Sequence, residues 1–205
     1  VDRYNLRYMR TTDIPAVIHI DQQSFPLPWS ARSYTFEVSQ SDHSHMIVLE
    51  RIERVPPGNP LQAWWQRTLG GPQETRTLLG YGGLWHFSTR GHVSTIASHP
   101  KYRGNGFGEL VFVAMLRRSI WLGARQVALE VRVSNHTAQA LYAKYRFQQR
   151  GIKRGYYHDN DEDAYDMILS LEDPRVTRDI ETRYRAFRQQ LRFLDSYTRG
   201  DRPAR

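Results

Sequence analysis

The richest chemical signal in this sequence is the run His99-Pro100-Lys101-Tyr102-Arg103-Gly104-Asn105-Gly106-Phe107-Gly108, between a strand-like segment ending at Ser98 and a helix-like segment that follows. Glycines let a backbone approach an anion closely. The unpaired N–H groups at a helix start donate to phosphate oxygens, and the helix dipole favours negative charge there. The run is therefore a candidate diphosphate-binding turn. It lacks the Gly-Lys-Ser/Thr ending of a nucleoside-triphosphate loop. The strand before it belongs to a hairpin, not to a repeated parallel unit of the dinucleotide-binding kind. Other chemistries are thinly represented. There is no cysteine, which removes thiolate nucleophiles, disulfides and Cys-ligated zinc. His43-Ser44-His45 sets two histidines on one face of an extended chain, but no third ligand stands at a convincing spacing, so no metal is expected. No Ser/His/Asp nucleophile signature is present.

The elements that must position this turn can be read on either side of it. Residues 6–9 suit a short strand, and Thr11-Thr12-Asp13-Ile14-Pro15 opens a helix whose Ile14, Val17, Ile18 and Phe25 share a face. Pro26 and Pro28 make a constrained aromatic loop with Trp29, and Ser30 can cap a second helix over 31–39. Strands follow at 45–52, 78–87 and 92–98, the last two joined by a turn at 88–91 as an antiparallel hairpin. Between the first two of these, an insertion at about 55–76 holds Leu61, Trp64, Trp65 and Leu69 on one side of a short helix, read as a packed flap. Residues 108–122 form an amphipathic helix, with Leu110, Val111, Ala114, Met115, Arg118 and Trp121 near helical spacing. A buried strand at 126–133, a short helix at 137–145, an irregular strand at 147–157 and a strand at 164–171 complete an α/β pattern.

With 205 residues, 40% hydrophobic and 24% charged, the chain fits one globular domain with some extension. No run approaches the roughly 20 apolar residues of a membrane span, and Val1-Asp2-Arg3-Tyr4 does not begin an export signal, so a cytoplasmic protein is expected. From Pro174 onward nine arginines face four acids, carrying five of the eight net positive charges. Within this stretch Val176, Ile180, Tyr184, Phe187, Leu191 and Leu194 recur at spacings of three or four. Residues 172–205 are thus read as a basic helical extension that caps the domain. Binding of nucleic acid through it is disfavoured, because no nucleic-acid-reading motif accompanies it.

The spacing Arg103-x-x-Gly106-x-Gly108 resembles the acetyl-coenzyme-A signature of the GNAT N-acetyltransferase superfamily. A second block, Leu129-Glu130-Val131-Arg132-Val133-Ser134-Asn135-His136-Thr137-Ala138-Gln139-Ala140-Leu141-Tyr142, resembles the strand and helix that follow it in that family. Together with Pro28-Trp29-Ser30, Arg154-Gly155-Tyr156-Tyr157 and Glu162-Asp163-Ala164, the pattern is similar to the bacterial ribosomal-protein alanine N-acetyltransferases in particular. The resemblance spans about residues 6–171 and implies a single GNAT-type domain over 1–171, with a mixed, mostly antiparallel central sheet flanked by helices. It does not account for the Trp-rich insertion or the arginine-rich tail. It also departs at one point: the family usually carries glycine before the Phe that ends the short helix, and here the pair is Arg146-Phe147.

Carried over residue by residue, the resemblance implies transfer of an acetyl group from acetyl-CoA to an N-terminal amine, by direct attack. Backbone N–H groups of Ile96, Ala97 and Ser98 would hold the thioester and pantetheine arm. Arg103, Gly104, Asn105, Gly106, Phe107, Gly108 and Glu109 would wrap the pyrophosphate. Asn135 would touch the cofactor arm or, equally, cap the helix after it. Glu130, expected to have a raised pKa near the end of a buried strand, would be the general base, with His92 in reserve; Tyr142 would be the acid for the departing thiolate. Trp29, Tyr156 and Tyr157 are candidates for a peptide groove. An α-amine of pKa near 8 is about 10% neutral at pH 7 and costs about 1.4 kcal/mol to deprotonate, against about 4.6 for a lysine amine, so a modest carboxylate base suits an N-terminus. The expected substrate is the N-terminal alanine of a small-subunit ribosomal protein. The alternatives are a small amine or lysine side chain, or a non-catalytic module that docks on a ribosome or RNA.

Overall fold

The computed structural model describes residues 3–55, 58 and 74–203. The helix read around Trp64 and Trp65 lies outside these residues. Along the chain come β1 (Arg3–Tyr8), α1 (Ile14–Gln22), α2 (Ala31–Ser39), β2 (Ser44–Arg54), β3 (Glu74–Phe87), β4 (Arg90–Ser98), α3 (Phe107–Trp121), β5 (Gln126–Arg132), α4 (His136–Lys144), β6 (Gln148–Tyr157), β7 (Glu162–Ser170), α5 (Pro174–Leu191) and β8 (Phe193–Asp195). The strands form one sheet in the order β6-β7-β5-β4-β3-β2-β1-β8. Only the β4/β5 and β1/β8 pairs are parallel, so the sheet is mixed and mostly antiparallel.

Apolar residues alternate sides along β2 because both faces of the sheet are covered. Met46 and Val48 join a core with Val17 and Ile20 of α1 and Tyr34 of α2. Ile47 and Leu49 join the larger core with α3. Helix α3 is buried at every position from Leu110 to Ser119, so it is more enclosed than an amphipathic pattern implies. The reason is α5, whose Val176, Ile180, Tyr184 and Phe187 close over the side of α3 that faces away from the sheet. Trp121, read as part of the apolar face, is 53% exposed at the helix end.

The C-terminal segment continues this core. After α5 the chain turns through Arg192, at φ 49°. Strand β8 then pairs with β1 as the eighth strand, which places Leu194 on a strand and 68% exposed, not on the helix face. Arg117 of α3 is buried against this segment. Its guanidinium stacks 3.7 Å from the Tyr184 ring centroid and donates to Glu181 Oε1 at 2.7 Å and Thr198 Oγ1 at 3.0 Å. Among the described residues, no helix is long and apolar enough to cross a membrane.

Candidate active site

Strands β4 and β5 pair only at Arg90↔Gln126, Gly91↔Val127 and His92↔Ala128, although β4 runs on to Ser98 and β5 to Arg132. Past His92 the two strands diverge. A register shift between Gly83 and Leu84 of β3 passes over Ser94 of β4, a bulge that bends the strand where the divergence starts. Ile96, Ala97 and Ser98 therefore have one edge bonded to β3 and the other facing an opening, where alternate N–H groups can serve a ligand.

The opening leads into the glycine turn. Gly104 and Gly106 have φ of 79° and 77°, backbone that favours glycine. Gly106 is the residue before α3 and offers no side-chain cap, so the first N–H groups of the helix are free of an intrinsic partner. A Cβ at Gly104 would meet nothing within 4 Å, whereas one at Gly108 would lie 2.6 Å from Ser98 Oγ. Open space, uncapped amides and a helix dipole together fit a diphosphate. Arg103 Nη2 donates to Ser24 Oγ at 3.0 Å, and Asn105 Nδ2 donates to the Tyr102 and Arg103 carbonyls, so Asn105 shapes the turn. The Glu109 side chain is otherwise engaged. It accepts from Lys144 Nζ and Tyr145 Oη at 2.6 Å and Arg183 Nε at 2.7 Å. Burial raises its carboxyl, but these donors outweigh burial and hold it at about 2. Only its backbone N–H remains for an anion.

Glu130 stands on β5 beside the opening. Its Oε2 lies 3.1 Å from His92 Nε2 and its Oε1 accepts from Lys153 Nζ, with the carboxylate 8% exposed. The expected raised pKa is not found. Burial does push it up, but the hydrogen bonds from His92 and Lys153 win and lower the carboxyl to about 2. The sequence reading counted burial and missed Lys153, which reaches Glu130 from β6, two strands away in the sheet order.

The His92 ring stacks on Trp85, 5.5 Å between centroids, and Trp85 stacks on Trp29 at 6.3 Å. Trp29, held in the loop between α1 and α2, thus joins the wall that runs to Glu130. Its backbone N donates to Asp21 Oδ2 at 2.7 Å, and the buried Asp21 also accepts from the Tyr81 hydroxyl. Tyr156 and Tyr157 pack edge to face at 5.1 Å. Burial, then the charge of Glu130, raises the Tyr156 phenol, and burial lifts that of Tyr157 to about 12. Tyr142 packs between Phe112 and Phe147, at 5.1 and 5.9 Å, as part of the core. Burial first, and then Tyr157, raises its phenol, so it keeps its proton at neutral pH. Asn135 Oδ1 accepts from Ala138 N at 3.1 Å and caps α4. After α4, Arg146 takes the left-handed position at φ 66° that glycine would fill, and Phe147 N donates to the Tyr142 carbonyl at 3.1 Å to close the helix. The helix exit is therefore made without glycine. Lys153, Trp85 and Asp21 were not singled out in the sequence; a polar residue inside the apolar stretch of α1 and one of only three lysines were the available signals.

Among the described residues, no group of three or more His, Asp or Glu could hold a metal ion. His45 instead bonds the Tyr8 hydroxyl through Nδ1 at 2.8 Å, in the core.

The chain is an α/β protein in which a hairpin strand parts from its parallel neighbour and runs into a glycine turn, and residues 14–147 match the acetyltransferase (GNAT) family. The chain belongs to that family. It is 34% identical over 166 residues to a protein of Bacillus subtilis (strain 168) provisionally named ribosomal protein bS18-alanine N-acetyltransferase, covering 81% of this chain and 95% of the relative. It is 28% identical over 165 residues to the Escherichia coli (strain K12) ribosomal protein bS18-alanine N-acetyltransferase, covering 80% and 95%. The crystal structure of the ribosomal-protein-S18-alanine N-acetyltransferase from Escherichia coli matches with a TM-score of 0.64 at 25% identity, over 82% of this chain and 94% of that one. Arabidopsis thaliana NAA60, solved in complex with acetyl-CoA, shares the fold with a TM-score of 0.61 at 15% identity, over 82% of this chain and 98% of that one.

Proposed function

We propose that this chain transfers the acetyl group of acetyl-CoA to the α-amine of a protein N-terminus, and that the acceptor is the alanine of a ribosomal protein. The observation that carries this reading is the divergence of β4 from β5 directly into the uncapped start of α3, with Glu130 on the opposite lip. The acetyl thioester supplies an activated carbonyl. Amides of Ile96–Ser98 orient it, and the N–H groups of 103–109 hold the diphosphate. Glu130, ionised at neutral pH, takes a proton from the incoming ammonium directly or through water, and the substrate amine displaces Lys153 from its pair with Glu130. Tyr142 gives its proton to the departing sulfur and recovers one from the acylated nitrogen, which must lose a second proton to become the amide. Asn135 supports the cofactor arm through the helix it caps. Trp29, Tyr156 and Tyr157 line the approach of the peptide. The names of the bacterial relatives support the ribosomal acceptor, and such an acceptor is met in the cytoplasm.

The test is mass spectrometry of products from an Ala-starting peptide, the same peptide with a blocked N-terminus, and a polyamine. Only the first should gain an acetyl group. Glu130→Gln and Tyr142→Phe proteins with unchanged circular dichroism should each lose about 100-fold in kcat. Wild-type rates in both would remove the catalytic assignment.

A further inference from the structure

Two features lie apart from the opening and the glycine turn. The first is a cleft of about 480 Å³ at the end of the sheet where β4 and β5 begin. Because these strands are parallel, Arg90 and Gln126 mark that end, and Ser98, which leads to the glycine turn, lies at the other. Arg90, Arg125, Arg146 and Arg175 line the cleft, but Arg125 is paired with Glu172, Arg146 with Asp179 and Arg175 with Asp173, so among the described residues the cleft contributes Arg90 and the unpaired cations lie along α5. Arg175 also begins α5, whose solvent face is the second feature. Arg178 and Arg185 are two helical turns apart on one line, which Arg188 and Arg192 continue, and all four are exposed. Arg178, Arg185 and Arg192 have no carboxylate partner among the described residues. Past them a second hollow, of about 450 Å³, is lined by Arg185, Arg188 and Arg199 together with Glu181 and Tyr184.

We propose that the arginine track along α5 binds the phosphodiester backbone of RNA, contrary to the expectation drawn from the absence of a reading motif, because phosphate contacts require none. Fold stability does not require it, since exposed ion pairs contribute little. A protein partner would be expected to find a cluster of aromatic or aliphatic anchors, and beside its arginines the track has Thr182 and Gln189, with Leu194 a single exposed apolar side chain. An anionic membrane surface also attracts such cations, and binding to phosphatidylserine vesicles with none to RNA would overturn the proposal. Repeated exposed cations without a cluster of anchors suit a regular polyanion held by sequence-independent phosphate contacts. The choice of RNA over DNA rests on the reading above that the acetylated amine belongs to a ribosomal protein.

The test is fluorescence anisotropy of a labelled single-stranded RNA with the full chain, titrated from 50 to 200 mM salt, quantities chosen because phosphate contacts weaken about 10³-fold or more across that range. The triple variant Arg178→Gln, Arg185→Gln, Arg192→Gln should weaken binding and lower the slope of log K against log salt by about two, at about 0.7 per contact. The matching Arg→Lys triple should keep binding, since charge suffices. Peptide acetylation by all three proteins should be equal, which separates this proposal from the catalytic one. No RNA binding at 50 mM salt, or a Gln triple that binds as wild type, would overturn it. So would equal competition by polyglutamate or by duplex DNA, which would reassign the track to an acidic protein or to DNA.

Discussion

Glu130 sits between the Lys153 ammonium and the His92 ring, and its carboxyl is lowered to about 2 by their hydrogen bonds. A carboxylate so held is ionised across the neutral range, so its titration cannot shape activity there. The acidic limb of kcat/KM for a peptide should instead follow the substrate amine, rising towards a pKa near 8. A limb centred at pH 4–5, measured with a peptide over pH 4–9, would contradict this. For stability the sign is that of a depressed acid. The contribution of Glu130 is complete above the unfolded carboxyl pKa near 4.3 and disappears as pH falls through about 2. Arg146 offers a second residue-scale test. A non-glycine side chain at φ 66° costs about 1 kcal/mol, and its exposed pair with Asp179 returns less than that. Arg146→Gly should therefore raise stability by about 0.5–1 kcal/mol in urea unfolding, and Arg146→Val should lower it.

The glycine turn works through its connection to β4. Gly108 lies against Ser98, the last residue of that strand, and a Cβ there would meet Ser98 Oγ at 2.6 Å. Gly108→Ala should displace the hydroxyl beside the opening and weaken acetyl-CoA binding about tenfold by calorimetry, or about 1.4 kcal/mol. Gly104→Ala makes no such contact. Its cost in the free protein is the left-handed backbone, about 1 kcal/mol of stability, and its methyl enters the open space read as the diphosphate's, so the calorimetric Kd should rise as well. An unchanged Kd in both variants would argue against a diphosphate site at this turn. The short helix α4 shows the same logic of shared labour. Asn135 begins it, Arg146 ends it, and Tyr142 is carried between them with its ring in the core.

At the scale of the molecule, the C-terminal segment is a structural wall of the core. Val176, Ile180, Tyr184, Phe187 and Phe193 are all buried, and at about 1.5–3 kcal/mol each their removal forfeits about 7–15 kcal/mol. That equals the whole stability of an ordinary domain, about 5–15 kcal/mol. Deletion of residues 174–203 should leave a chain without a cooperative thermal transition, whereas the exposed arginines of α5 can be replaced with a small change in Tm. A deletion variant that unfolds cooperatively near the wild-type temperature would refute this.

The sequence by itself determined the order of the described elements as far as α5, the glycine turn, the hairpin before it and the apolar stripe of α5, because each is a local pattern of period two, period three to four, or glycine and proline punctuation. It also marked Glu130 and Tyr142, through the spacing of a motif. Only the tertiary structure decided what surrounds them. Lys153 reaches Glu130 across β7 from β6, Arg183 claims Glu109 from α5, and β8 finds β1 from the far end of the chain. Electrostatic partners and edge pairing depend on distance in space, which residues far apart in sequence acquire only after the sheet has closed, and so the low pKa of Glu130 and the burial of the tail were not legible one residue at a time.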